Sequence, residues 1–188
     1  MPDRRRGRTV TYIFALLAAV GLVAVDQLTK YFIVTHFAVG ETLPVIEGVF
    51  HITYVQNRGA AFGIFQDQPW IFLSITAVIL LVCVSLLIKK TFKSRIMHWA
   101  LFLVLAGGVG NMIDRLFRTD SFGRHYVVDF LDARFIDFPV FNIADICVVV
   151  GAGLIILYFV IDTVKDVKRH RRAKAPVLQG EDACEKKS

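Results

Sequence analysis

Cysteine is scarce in this chain: Cys83, Cys147 and Cys184 are the only three among 188 residues. Two lie in apolar runs and one in a charged tail, which excludes a disulfide framework and a CxxC metal site. They read as inert small hydrophobes. Serine is almost missing from the long polar connections, where Ser121 stands alone, so a serine nucleophile has little to draw on. No GxSxG, HExxH or Walker loop occurs. His36, His51 and His125 match no ligand spacing, so no metal and no cofactor is expected. The most telling absence is charge. Four stretches, roughly Val10–Val25, Trp70–Ile88, Ile96–Ile113 and Phe141–Ile161, hold almost none. With 55% hydrophobic residues and a mean hydropathy of +0.57, the chain falls in the membrane class rather than among soluble domains.

A bilayer core of about 30 Å needs about 20 helical residues. The first run is short, so its helix is expected to continue through Asp26 and Lys30. The second begins after Pro69, a good first-turn residue, and stops at Lys89 and Lys90. The fourth begins after Pro139 and ends near Asp162. Most of the 22 Lys and Arg fall in three places: "RRRGR" at the N-terminus, "KKTFKSR" between spans two and three, and the tail from "KDVKRHRRAK" onward. The positive-inside rule then places both termini and the short link in the cytoplasm. The net charge of +6 is spent on this topology and not gathered on one surface, so no nucleic-acid partner is expected. Because Asp26 and Lys30 look functional and no clean small-x-small site follows, the first run reads as a retained span and not a cleaved leader.

The division expected is a cytoplasmic N-terminus (1–9), one membrane domain (10–165) and a disordered cytoplasmic tail (166–188). The fold class is an all-α membrane protein of four transmembrane helices, with a small periplasmic β platform. "VFHITYVQNRGAAFGIF" at 49–65 reads as a strand breaking into a turn, and "GRHYVVDFLDARF" at 123–135 as a second strand. Two such strands need support from the helix ends. Phe62, Phe65, Trp70 and Phe138 suit a membrane interface.

The spans keep their polar residues at one depth. Asp26 and Lys30, then Asn111, Asp114 and Arg115, then Asn142 and Asp145, all fall at outer ends, although successive helices alternate in direction. Such residues face a protein interior or a wet cavity and are functional candidates. Asp26 and Lys30 share a face at i,i+4, as an ion pair or as part of a site. Gly107, Gly110, Asn111 and Asp114 form one stripe, small below and polar above. On span four, Ala152 and Gly153 are expected to continue the face of Asn142 and Asp145. Asp145, at a helix start, suits a capping role, but a cap does not explain a companion acid. Two adjacent carboxyl groups share a proton, and such a pair can hydrolyse an amide, one group activating water and the other assisting the carbonyl. Physical reasoning alone does not choose the second acid among Asp129, Asp132 and Asp137.

Five ordered motifs narrow the choice: "DQLTK" at 26–30, "NRGAAFG" at 57–63, "GGVGNMIDR" at 107–115, "VVDF" at 127–130 and "FNIAD" at 141–145. On them the chain resembles the lipoprotein signal peptidases (signal peptidase II), aspartyl enzymes of the bacterial inner membrane. The resemblance implies that Asp129 and Asp145 are the catalytic pair. It implies supporting or substrate-contacting roles for Asn57, Gly59, Asn111, Arg115 and Asn142, and structural polar roles for Asp26, Lys30 and Asp114. The implied substrate is a prolipoprotein whose cysteine already carries diacylglycerol, cleaved just before that cysteine by a monomer in the phospholipid bilayer. Two rival readings are a transporter, whose polar groups would lie near the midplane in repeats, and an assembly factor whose charges only join helices.

Overall fold

The computed structural model describes residues 3–59, 68–136 and 138–185. Phe62, Phe65 and Asp137 lie outside these described residues. In chain order the elements are α1 (Asp3–His36), β1 (Thr42–Ile46), β2 (Phe50–Asn57), α2 (Pro69–Ile88), α3 (Arg95–Phe117), β3 (Val127–Ala133) and α4 (Ile143–Glu185).

Each helix contains a segment able to cross a bilayer: Val10–His36, Trp70–Ile88, Arg95–Phe117 and Ile143–His170. The shortest, 19 residues, spans about 28 Å at the rise of an α-helix. The protein is a multi-pass membrane protein. α1 carries through Asp26 and Lys30 as one helix, as expected from its short apolar run. α3 is the central helix, with 56% of its apolar window buried against 6–17% for the other three. It packs against α1, α2 and α4. The exposed Leu, Val, Ile and Phe side chains of the outer three helices form a shell suited to lipid.

Close approach of α3 and α4 depends on glycine. A Cβ at Gly107 would run into the Ala144 carbonyl oxygen, and one at Gly151 would lie 2.9 Å from the Ala100 carbonyl oxygen. Gly151, not Ala152 or Gly153, therefore makes the crossing: Ala152 is exposed, and nothing lies within 4 Å of where a Gly153 Cβ would point. The helical period carries the buried face from Ala144 through Cys147 to Gly151.

The sheet has the order β1-β2-β3, antiparallel throughout. β1 was not legible as a strand because Pro44 interrupts it; proline is tolerated there because β1 is an edge strand. Ile33 of α1 packs with Tyr54, Tyr126, Val128 and Phe130 into a core that seats the sheet on the helix ends. Trp70 and Phe138 are exposed, as interface anchors should be. At the other extreme, α4 remains helical to Glu185, where a disordered tail from 166 was expected. Lysine and arginine are good helix formers, and the charged run after Asp162 extends the helix.

Candidate active site

The site grows from the start of α4. Asn142 is the N-cap residue: its Oδ1 accepts the Asp145 N–H at 3.0 Å, and the Asp145 Oδ2 accepts the Asn142 N–H at 3.1 Å. This is a reciprocal capping box, with an acid in the helix's first turn where the dipole favours it. Asp145 thus does cap its helix. Its other oxygen, Oδ1, accepts from Asn111 Nδ2 at 2.7 Å.

The companion acid is Asp129. The Asn142 amide nitrogen lies 2.6 Å from Asp129 Oδ1, and Asn57 Nδ2 donates to Asp129 Oδ2 at 2.8 Å. Asn142 therefore bonds to both carboxyl groups. Asn57 is placed by the β2–β3 register, in which it pairs with Val127 while Val55 pairs with Asp129. The Gly59 N–H donates to Asn57 Oδ1 at 3.0 Å, which orients that amide. Asp132, the other described candidate for the second acid, is elsewhere: it accepts from Thr53 and Arg134 at 2.6 and 2.9 Å. Burial pushes the Asp129 carboxyl up to about 7, and the charge of Asp145 adds to the effect; the Asn57 and Asn142 donors and Lys30 act against it.

Beneath the pair lies a buried ionic network. Lys30, fully buried, places its Nζ 3.0 Å from Asp26 Oδ2, 2.9 Å from Asp114 Oδ2 and 2.9 Å from Asn111 Oδ1. An ammonium has three donors, so each has a protein acceptor and none is left for a substrate. The two acids reach onward to main chain. Asp26 Oδ1 accepts the Ala144 N–H at 3.0 Å, and Asp114 Oδ2 accepts the Val128 N–H at 3.1 Å. Those N–H groups sit immediately before Asp145 and Asp129. The structural polar residues hold the backbone beside each acid.

Two further members had weaker sequence signals. Gln27 donates to the Gly110 carbonyl at 3.0 Å and to Asp114 at 3.3 Å. Arg118 pairs with Asp114 at 2.9 Å, and its i,i+4 spacing could have revealed it. Of the histidines, His36 is held by Phe32 and Thr35 of its own helix, and His51 stands opposite Asp132 in the sheet.

A cavity of about 460 Å³ opens over the pair. Asp129, Asp145, Asn57, Gly59 and Arg115 form its polar end; Phe72 of α2 and Ile146, Val149 and Val150 of α4 form an apolar wall. The Arg115 guanidinium lies over the Phe72 ring at 5.1 Å. A cleft with a few convergent polar groups and an apolar wall suits a chain that is itself largely apolar.

The chain is similar to several known proteins. The model of the Signal peptidase (SPase) II family matches residues 18–161. A lipoprotein signal peptidase from Brevibacillus brevis is 44% identical over 158 residues, covering 84% of this chain and 99% of that protein. One from Shouchella clausii is 43% identical over 81% of this chain and 93% of its own length. A solved bacterial membrane enzyme superposes with a TM-score of 0.73 at 39% identity, covering 80% of this chain and 89% of that one. With the family's match spanning α2 and α3 entirely, most of the membrane-crossing parts of α1 and α4, the sheet and both acids, the chain belongs to the signal peptidase II family.

Proposed function

We propose that this protein is an intramembrane aspartyl endopeptidase that removes signal peptides from diacylglyceryl-modified prolipoproteins, cutting just before the lipidated cysteine. The observation that carries the reading is the hydrogen bonding of Asn142 to two carboxyl groups, Asp129 from a strand and Asp145 from a helix, inside one cavity. Family membership supports the activity.

In this reading the pair holds one proton, and Asp129, the carboxyl raised towards neutrality by burial, carries it. The ionised Asp145 takes a proton from a water as the water's oxygen attacks the scissile carbonyl carbon. Asp129 donates its proton to the carbonyl oxygen, giving a neutral gem-diol. Collapse of that species breaks the C–N bond: the gem-diol returns a proton to Asp129 and the nitrogen takes one from Asp145, so the pair ends as it began. Asn57, Asn111 and Asn142 hold the two carboxyl groups in place, and Arg115 supplies positive charge near them. Asp26, Lys30 and Asp114 act structurally. A signal peptide is an apolar helix, and the Phe72, Ile146 and Val149 wall accommodates it while the lipid chains stay in the bilayer. The charge distribution supports both termini in the cytoplasm and the site at the periplasmic face of the inner membrane. The enzyme acts as a monomer, its 10–165 segment carrying the peptidase domain.

Cleavage of a lipidated precursor beside a non-lipidated one, by wild type and by Asp129→Asn and Asp145→Asn, tests the proposal. Folded, membrane-inserted variants with activity reduced about 10²–10⁴-fold or more are expected. An active Asp→Asn protein would remove the mechanism, and unfolded variants would favour a merely structural role for the acids.

A further inference from the structure

Arg58 and Asp120 belong to no part of the network above, yet they stand at its edge. Asp120 organises the turn that feeds β3. Its Oδ1 accepts the N–H groups of Phe122 and Arg124, each at 2.9 Å, and its Oδ2 accepts Arg124 Nε at 3.0 Å. The main chain closes around it, with Asp120 N–H bonded to the Arg124 carbonyl at 3.0 Å. Its side chain is only 5% exposed. The carboxylate is therefore fixed in place before it meets anything else.

What it meets is Arg58, whose Nε lies 3.5 Å from Asp120 Oδ2 and is buried without a hydrogen-bond partner among the described residues. Arg58 follows the last residue of β2. On one side is Asn57, the donor to Asp129; on the other is Gly59, whose N–H orients the Asn57 amide. The ion pair thus ties the exit of β2 to the turn that enters β3, and the Asn57–Asp129 bond lies just inside that tie.

We infer that Asp120 and Arg58 are positioning residues for the reaction: their ion pair keeps Asn57 hydrogen-bonded to Asp129. The inference rests on the reading of Asp129 as one of the two reacting acids. The pair is long at 3.5 Å and its arginine side chain is a third exposed, so it contributes little to global stability, and its loss registers in the chemistry and not in unfolding. The Asn57 donor stabilises the charged form of Asp129. Loosening it raises the proton affinity of the acid pair, and the pH limb set by Asp129 moves upward.

The test is the pH profile of kcat/KM for Arg58→Gln and Asp120→Asn. Asparagine at 120 keeps an oxygen for the turn's N–H groups and removes the charge. Each variant should melt like wild type, lose about tenfold in kcat, and shift its limb upward by about half to one pH unit, since complete loss of a hydrogen bond to a charged group is worth one to two. The double variant should be no worse than either single one, and Arg58→Lys should restore most of the profile. Arg134→Gln breaks a comparable ion pair with Asp132 on the same strand and should leave the limb in place. An unmoved limb in Arg58→Gln and Asp120→Asn, additive losses, or an equal shift in Arg134→Gln would overturn the inference. Asp129→Asn measured alongside separates the two readings. If it is inactive while the limb stays fixed in the ion-pair variants, only the role of the ion pair fails; if it is active, the assignment of the acids fails with it.

Discussion

Replacing Lys30 with methionine isolates the energetics of the buried network. Methionine fills the path of the lysine stem but offers no donors. Lys30 is fully buried and contacts Asp26, Asp114 and Asn111 at 2.9–3.0 Å. Removing one partner of a buried ion pair costs about 3–5 kcal/mol, because the other charge remains uncompensated. Here the imbalance can be traced further. Among the described residues two cations, Lys30 and Arg118, face two acids, Asp26 and Asp114, and Arg118 pairs with Asp114 alone. In Lys30→Met, Asp114 keeps Arg118 and its Val128 N–H, whereas Asp26 keeps only the Ala144 N–H and the Gln27 amide. The penalty therefore falls mainly on Asp26. Lys30→Met should lose about 3–5 kcal/mol by denaturant unfolding in detergent. Adding Asp26→Asn, which retains an acceptor for Ala144, should recover more than half of that loss, and adding Asp114→Asn clearly less. Wild-type stability in Lys30→Met, or equal recovery by the two asparagines, would refute the reasoning.

Two other outcomes follow from the geometry. The Asp129 carboxyl is raised from 3.8 to about 7 by burial and by Asp145; the stability that goes with its protonated form is whole at acid pH and is lost as pH rises through about 7. Relative to wild type, Asp129→Asn should therefore gain stability between pH 4 and pH 8, by at most about 4 kcal/mol, and wild-type kcat/KM should decline as pH passes about 7, an apparent value belonging to the pair. Unfolding curves with the same pH dependence in both proteins would contradict this. Gly107→Ala should destabilise by about 1–3 kcal/mol, because its new methyl meets a backbone carbonyl, whereas Gly108→Ala meets the tip of Leu80 and should cost less; equal melting of the two variants would count against the α3–α4 packing argument.

Much of this site could be read along the chain. The depth of Asp26, Asn111 and Asp145 followed from hydropathy alone, and the Asp26–Lys30 pairing from helical spacing. The capping role of Asp145 was visible in its place at a helix start. The choice among loop acids was not visible in spacing: Asp129 and Asp132 share a strand and, three residues apart, point to opposite faces of it, and which face meets α4 is a matter of packing. Proline obscures β1, an edge strand, and Gly151 lies on the face of Ala144 and Cys147, not on the face that spacing from Asp145 extends to Gly153. Arg58 lies in the motif at 57–63, but nothing in the sequence links it to Asp120, since 62 positions of chain separate them and neither lies in a span.

Hydropathy and helical period are local properties, so the sequence by itself determined four spans, the single level at which their polar groups lie, and the family through its motifs. Which groups touch was settled by contacts distant in sequence. The glycine-dependent approach of α3 to α4 brings Asn111 to Asp145, the strand register brings Asn57 to Asp129, and Asn142 joins the two. Each of these depends on backbones meeting in space, and only the tertiary structure decided that.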